Sequence, residues 1–195
     1  MTRQQQVSRK TQETDIQVGL NLDGRGEFSV TTSIPFLDHM LALFARHGLF
    51  DLTVRATGDT AVDYHHTMED VGICLGNAFK KALGDKKGIR RFGQASVPMI
   101  DSLATVVLDL SGRAHLTFRV EFASSRVGEL DVELFEEFFR AFSTAAGIDL
   151  HVHVPYGSNV HHSVEAIFKA FARACEQAVR IDPRMEGVWS TKGTL

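Results

Sequence analysis

Only two cysteines, Cys74 and Cys175, occur in the 195 residues, too few for a disulfide framework. Both fall in stretches with helical patterning and read as small core residues with reduced thiols. No apolar run approaches the roughly 18 residues that a membrane helix needs. The first ten residues, Met1 to Lys10, are polar and lack the apolar segment of a secretory signal. Neither sign of charge dominates: 21 basic and 24 acidic residues leave a formal net charge of -3. Neither nucleic acid nor an anionic membrane is therefore indicated as a partner. These absences point to a cytoplasmic chain, long enough to bury about two-thirds of its unfolded surface.

Histidine, by contrast, is plentiful. There are nine, and four of them form two adjacent pairs. The pairs belong to a repeated segment: His65-His66-Thr67-Met68-Glu69 returns as His161-His162-Ser163-Val164-Glu165. Each copy opens a long stretch with helical periodicity, marked by Val71, Leu75, Phe79 and Leu83 in the first and by Ile167, Phe168, Phe171 and Val179 in the second. The similarity extends upstream. Leu20-Asn21-Leu22-Asp23-Gly24-Arg25 matches Leu108-Asp109-Leu110-Ser111-Gly112-Arg113, and each reads as the turn of a hairpin between two strands. A second helix is expected in each half, Phe36 to His47 and Leu134 to Ala146, stopped by Gly48 and Gly147. Phe50–Val54 and Ile148–Val152 follow them as strands. Residues 84–96 and 182–195 read as connections. The predicted fold is α+β, an internal duplication of two similar halves, each a small mixed sheet of about four strands covered by two helices. It forms a single domain over residues 1–195, built from repeats of about 9–92 and 93–185 with a tail of 186–195.

A helix turns about 100° per residue, so His65 and Glu69, four apart, share one side, and His66 points about a quarter-turn away. His161, Glu165 and His162 repeat the pattern. Two copies facing each other would give each of two ions a His-Glu clamp from one copy and a crossing histidine from the other. His65 and Glu69 would be joined by His162, and His161 and Glu165 by His66. Two imidazoles and one carboxylate suit Mn, Fe, Co or Zn and are too rich in nitrogen for Ca or Mg.

With these motifs stand Phe36-Leu37-Asp38-His39-Met40-Leu41, Asp149-Leu150-His151-Val152 and Ser190-Thr191-Lys192-Gly193. In this order, from about Arg9 onward, the sequence resembles the imidazoleglycerol-phosphate dehydratases of histidine biosynthesis. The resemblance implies dehydration of imidazoleglycerol phosphate to imidazole-acetol phosphate through a metal-bound imidazolate, with two Mn²⁺ ions per site or other divalent transition metals in their place. It adds one ligand to each ion: His39 joins His66, His161 and Glu165, and His151 joins His65, His162 and Glu69. His153, on the same strand face, is the rival to His151 and reads as incidental. His47 and His115 read as structural or surface groups.

The resemblance also implies that Glu13 moves a proton and that turnover depends on His66 and Glu165. Arg91, Arg113, Ser190 and Lys192 correspond to contacts of the substrate phosphate, for which Arg and Lys are suited. Glu13, His39, His65 and His161 correspond to further substrate contacts, and Lys169, one turn beyond Glu165, is another candidate. Tyr64 and Trp189 depart from the family's usual residues at non-ligand places. The implied partner is the chain itself, in an assembly of roughly 24 subunits with octahedral symmetry whose sites lie between subunits. Two other readings stay open: a dinuclear phosphate-ester hydrolase, which should favour bridging aspartates over histidines, and metal ions that only staple an assembly.

Overall fold

The computed structural model describes residues 2–195. The first half runs β1 (Gln4–Lys10), β2 (Thr14–Asn21), β3 (Phe28–Thr31), α1 (Pro35–Gly48), β4 (Asp51–Gly58) and α2 (His65–Leu83). The second runs β5 (Phe92–Met99), β6 (Ser102–Asp109), β7 (His115–Val120), a short hairpin of β8 (Arg126–Val127) and β9 (Leu130–Asp131), then α3 (Glu133–Ala146), β10 (Asp149–Tyr156) and α4 (Val160–Val179). Apart from the β8–β9 hairpin the halves have the same element order. The sheets match as well: β1-β2-β4-β3 in one, β5-β6-β10-β7 in the other. Each is mixed, since β4 and β10 pair antiparallel to β2 and β6 but parallel to β3 and β7. The fold is the expected α+β duplication of two four-stranded halves.

The predicted hairpins across Asp23-Gly24 and Ser111-Gly112 do not form. β4 lies between β2 and β3, and β10 between β6 and β7. The reason is burial. β4 alternates buried Leu52, Val54 and Ala56 with exposed neighbours, a half-buried pattern that belongs beside β2. β3 buries none of its four residues and is left at the edge. Within the two four-stranded sheets the hairpins that do form are β1–β2 and β5–β6. β1 (QQQVSRK) has no buried residue, so it carried no strand signal. The stretch 84–96, expected to be a connection, becomes strand from Phe92 onward. Gly147 stops α3 with φ 66°, as predicted, but Gly48 remains helical and Leu49 takes the left-handed conformation at φ 56°.

The helices lie between the sheets. α1 and α2 pack on the first, α3 and α4 on the second, and the halves join by α2 resting on α3 and α1 on α4. The α2–α3 seam is very close. A Cβ on Gly72 or Gly76 would stand 2.7 Å from the Phe138 carbonyl oxygen or 2.6 Å from that of Phe142, so only glycine lets these backbones approach so closely. Nine phenylalanines are fully buried among the helices, in edge and stacked contacts such as Phe44–Phe171 and Phe142–Phe171, 5.2 and 5.0 Å between centroids. No helix among the described residues is long and apolar enough to cross a membrane.

Cys74 and Cys175 are buried and unpaired. Burial pushes both thiols up, that of Cys74 to about 11. The thiolate is the reactive form, so neither is expected to react with a thiol-specific disulfide reagent at about pH 8 until the protein is unfolded in guanidinium. Rapid labelling of the folded protein would contradict this.

Candidate active site

The helix N-termini place most of the motif residues. α1 starts at Pro35 and is tied down by Asp38, whose carboxylate accepts from the Thr32 amide and hydroxyl at 2.7 and 2.6 Å. This sets His39 on the exposed side of the first turn. α4 starts after Asn159, whose side chain accepts from the His162 amide. His161 and Glu165, one turn apart, then meet at 3.1 Å, with His39 Nε2 3.8 Å from the same Glu165 oxygen. All three donor atoms lie within 4.8 Å of one another.

The Glu165 carboxylate is buried, which alone would push its pKa up. Hydrogen bonding and charge from Lys169, 2.6 Å away, outweigh this together with His161 and His39, and hold it below its ordinary value. Glu165 is thus an anion at neutral pH. Ligand atoms about 2.0–2.2 Å from a shared ion stand roughly 3–4 Å apart. Two imidazoles and a charged carboxylate at this spacing fit a divalent transition metal. Lys169 is engaged with Glu165 and with Met99 Sδ at 3.6 Å. His47, half-buried in α1, is held below its ordinary pKa by burial and by Lys169 and Arg173.

The other predicted ligands are not gathered within the chain. His66 stands with Asp59, at 3.0 Å from Nδ1, and with Glu13, at 3.9 Å from Nε2. Its pKa is raised, mainly by the Asp59 hydrogen bond and further by Glu13. His162 Nδ1 bonds Asp101 at 2.5 Å. Among the described residues no ion pair links His65 to Glu69, and Glu69 lines a groove between α2 and α3 with Ile73, Asn77, Glu137 and Arg140. His151 Nε2 lies 3.1 Å from Asp149, and these two form a second close donor group with His115. The two His-His-x-x-Glu copies therefore do not face each other inside one chain. Each motif helix lies on its own sheet and against the other half's remaining helix, which keeps α2 and α4 apart.

Glu13 occupies the β1–β2 turn, where the Thr11 hydroxyl accepts from its amide. The turn is pinned to α2 because Asp70, buried next to Glu69, accepts from Arg9 Nε at 2.7 Å and from the Thr14 hydroxyl at 2.5 Å. Glu13 and His66 are thereby brought together.

Arg91, Arg113, Ser190 and Lys192 line one cavity of about 470 Å³, with Ser111, Gly112 and Leu195. Arg91 grips Asp109 with two nitrogens, at 2.6 and 2.8 Å, and donates to the Trp189 carbonyl at 2.8 Å, holding the C-terminal segment over the cavity. Arg90 instead faces Asp182. Asp109 pairs with Asp149 across β6–β10, and Asp149 with His115 across β10–β7. Cross-strand partners share a face, so Asp109, which Arg91 grips beside the cavity, lies on the same open face of the second sheet as His151. His153 is exposed two residues further along it.

A family model described as imidazoleglycerol-phosphate dehydratase matches residues 32–175. The chain belongs to this family. With it, the chain belongs to the hydro-lyases. An imidazoleglycerol-phosphate dehydratase of Geobacter metallireducens is 59% identical over 195 residues, covering all of both chains. That of Geobacillus kaustophilus is 57% identical over the same full length. The crystal structure of the Staphylococcus aureus dehydratase superposes with a TM-score of 0.83 at 37% identity, covering 92% of this chain and 99% of that one. A Pyrococcus furiosus structure of the same family gives 0.84 at 33% identity, covering 97% and 100%.

Asp59 and Asp101 escaped the sequence reading. No spacing announces them: Asp101 meets His162 across 61 residues, and Asp59 sits seven before His66 in a turn.

Proposed function

We propose that this chain converts imidazoleglycerol phosphate to imidazole-acetol phosphate in histidine biosynthesis, in the cytoplasm, at a site that holds two divalent transition metals, Mn²⁺ first among them. The reading is carried by full-length similarity to relatives that bear the dehydratase name. The donor groups support its chemistry. His39, His161 and Glu165 would hold one ion and be completed by His66 of another copy. His65, Glu69, His162 and His151 would hold the second, again drawn from more than one copy, in a homo-oligomer of octahedral symmetry. Such ions supply Lewis-acid stabilisation for negative charge on an imidazole.

The chain's own groups do the rest. Arg113, Lys192 and Ser190 bind the phosphate in the cavity, and Arg91 shapes that cavity by fixing the segment over it. Glu13, in its pinned turn, accepts or returns the proton moved at the substrate carbon. The test is to incubate Mn²⁺-loaded protein with imidazoleglycerol phosphate. Loss of substrate with formation of the acetol phosphate is expected; no loss would sink the lyase, and release of free phosphate would mark a hydrolase. Arg113→Ala should raise KM by roughly 10–100-fold, the loss of one charge-assisted contact, with a smaller change in kcat.

A further inference from the structure

Six histidines belong to the proposed ligand sets, and they divide by what holds their rings. Among the described residues only His66 and His162 have Nδ1 bonded to a carboxylate, and in both cases it is an aspartate outside the ligand sets, Asp59 or Asp101. These are the two histidines that helix geometry turns away from the clamps. His161 is steadied by Glu165 one turn along. His66 and His162 have no such neighbour. Four residues beyond His66 stands Asp70, already taken by Arg9 and Thr14, and four beyond His162 stands Ala166.

The aspartates come from unrelated places, Asp59 after β4 and Asp101 in the β5–β6 turn, so repetition of the sequence does not account for their shared role. Each is placed by its own local structure. The Asp59 amide donates to the Glu13 carbonyl at 3.0 Å. Asp101 accepts at one oxygen from the Ser158 amide, the Ser158 hydroxyl and the Asn159 amide, at 2.8, 2.6 and 2.8 Å. It thus ties the turn before α4 to the histidine that opens it.

We propose that Asp59 and Asp101 are positioning residues for metal capture, each fixing the ring and tautomer of the histidine that is lent to the other motif's ion. A carboxylate only accepts, so the bonded Nδ1 must carry the proton, and the neutral ring keeps its lone pair on Nε2. That nitrogen is the one left free to reach an ion. The two supports differ in strength. Asp101 is braced by three bonds besides the one to His162, whereas the second oxygen of Asp59 is buried with no partner. This inference rests on the dimetal reading.

The test uses the full-length protein loaded with Mn²⁺, dialysed against graded chelator, with the metal retained per chain measured by elemental analysis. Wild type should retain two ions; if it retains none, the dimetal reading itself fails. Asp101→Asn and Asp59→Asn should each weaken one ion by roughly 10–100-fold, the usual cost of losing a partner behind a metal-binding histidine, and leave the other as in wild type. The double variant should weaken both. Wild-type retention of both ions in both single variants, with wild type holding two, would overturn the proposal. Should Asp101→Asn fail to fold, Ser158→Ala keeps the carboxylate and removes one of its braces. It should loosen the same ion by roughly 2–10-fold, and an unchanged affinity there would count equally against the role.

Discussion

Glu165→Gln is expected to lower kcat/KM for imidazoleglycerol phosphate by roughly a thousandfold or more, about 4 kcal/mol of lost transition-state stabilisation. One oxygen of Glu165 faces both His161 and His39, and the other faces Lys169 at 2.6 Å. The amide keeps the volume and removes the charge. It also presents an NH₂ group either to the position an ion would occupy or to the Lys169 ammonium, and both placements are repulsive. Cationic and hydrogen-bonding neighbours outweigh burial and keep the Glu165 carboxylate ionised, whereas the glutamine amide does not titrate, so no adjustment of pH restores the charge in the variant. Steady-state kinetics with parallel metal analysis checks this. A variant that keeps both its metal and more than a tenth of wild-type kcat/KM would refute the assignment of Glu165 as a ligand.

Phe171→Ala should cost about 3–5 kcal/mol of stability, the range for emptying a buried aromatic site. The ring touches Phe44 on α1 and Phe139 and Phe142 on α3, with centroids 5.2, 5.2 and 5.0 Å away. It therefore joins three of the four helices. All four rings are fully buried, and rings this tightly interlocked have little room to close over a void. The urea midpoint should fall by about 1–3 M at a typical slope, measured on metal-free protein so that ion binding does not add to the folded state. Phe28→Ala is the comparison. That ring is exposed apart from Arg46 stacked over it at 5.6 Å, and its loss should cost under about 1 kcal/mol. Equal effects at the two positions would mean that the aromatic cluster does not dominate stability.

The helices were legible because their apolar spacing is long and regular, and the repeat made each pair support the other. The motif residues at their N-termini were legible for the same reason. The ladder order was not. A strand's neighbour depends on which face of a distant strand is buried, and the Asp23-Gly24 and Ser111-Gly112 turns gave a local hairpin signal that the burial of β4 and β10 overrode. β1 shows a different limit: a polar edge strand has no pattern that separates it from a solvated terminus. At the site, residue types pointed to a metal, yet among the described residues the one group made wholly of predicted ligands is His39, His161 and Glu165. For the other ligands the sequence carries chemistry without a partner inside the chain, because α2 and α4 lie on different sheets and their motifs do not meet. Asp59 and Asp101 were illegible for a third reason. An aspartate in a turn is ordinary, and only the folded chain shows which histidine it holds.

The crossed pairing of helices also bears on synthesis. α2 rests on α3, and α1 on α4, so a ribosome releases the first half with two apolar helix faces bare. At about 5–20 residues per second the remaining roughly 100 residues take about 5–20 s to emerge. Through that interval Phe44 and Phe79 have Phe50 as an aromatic neighbour but lack Phe171 and Phe142, and the glycine-flat side of α2 around Gly72 and Gly76 lacks α3. The nascent first half therefore keeps these apolar faces uncovered until α3 and α4 fold onto them.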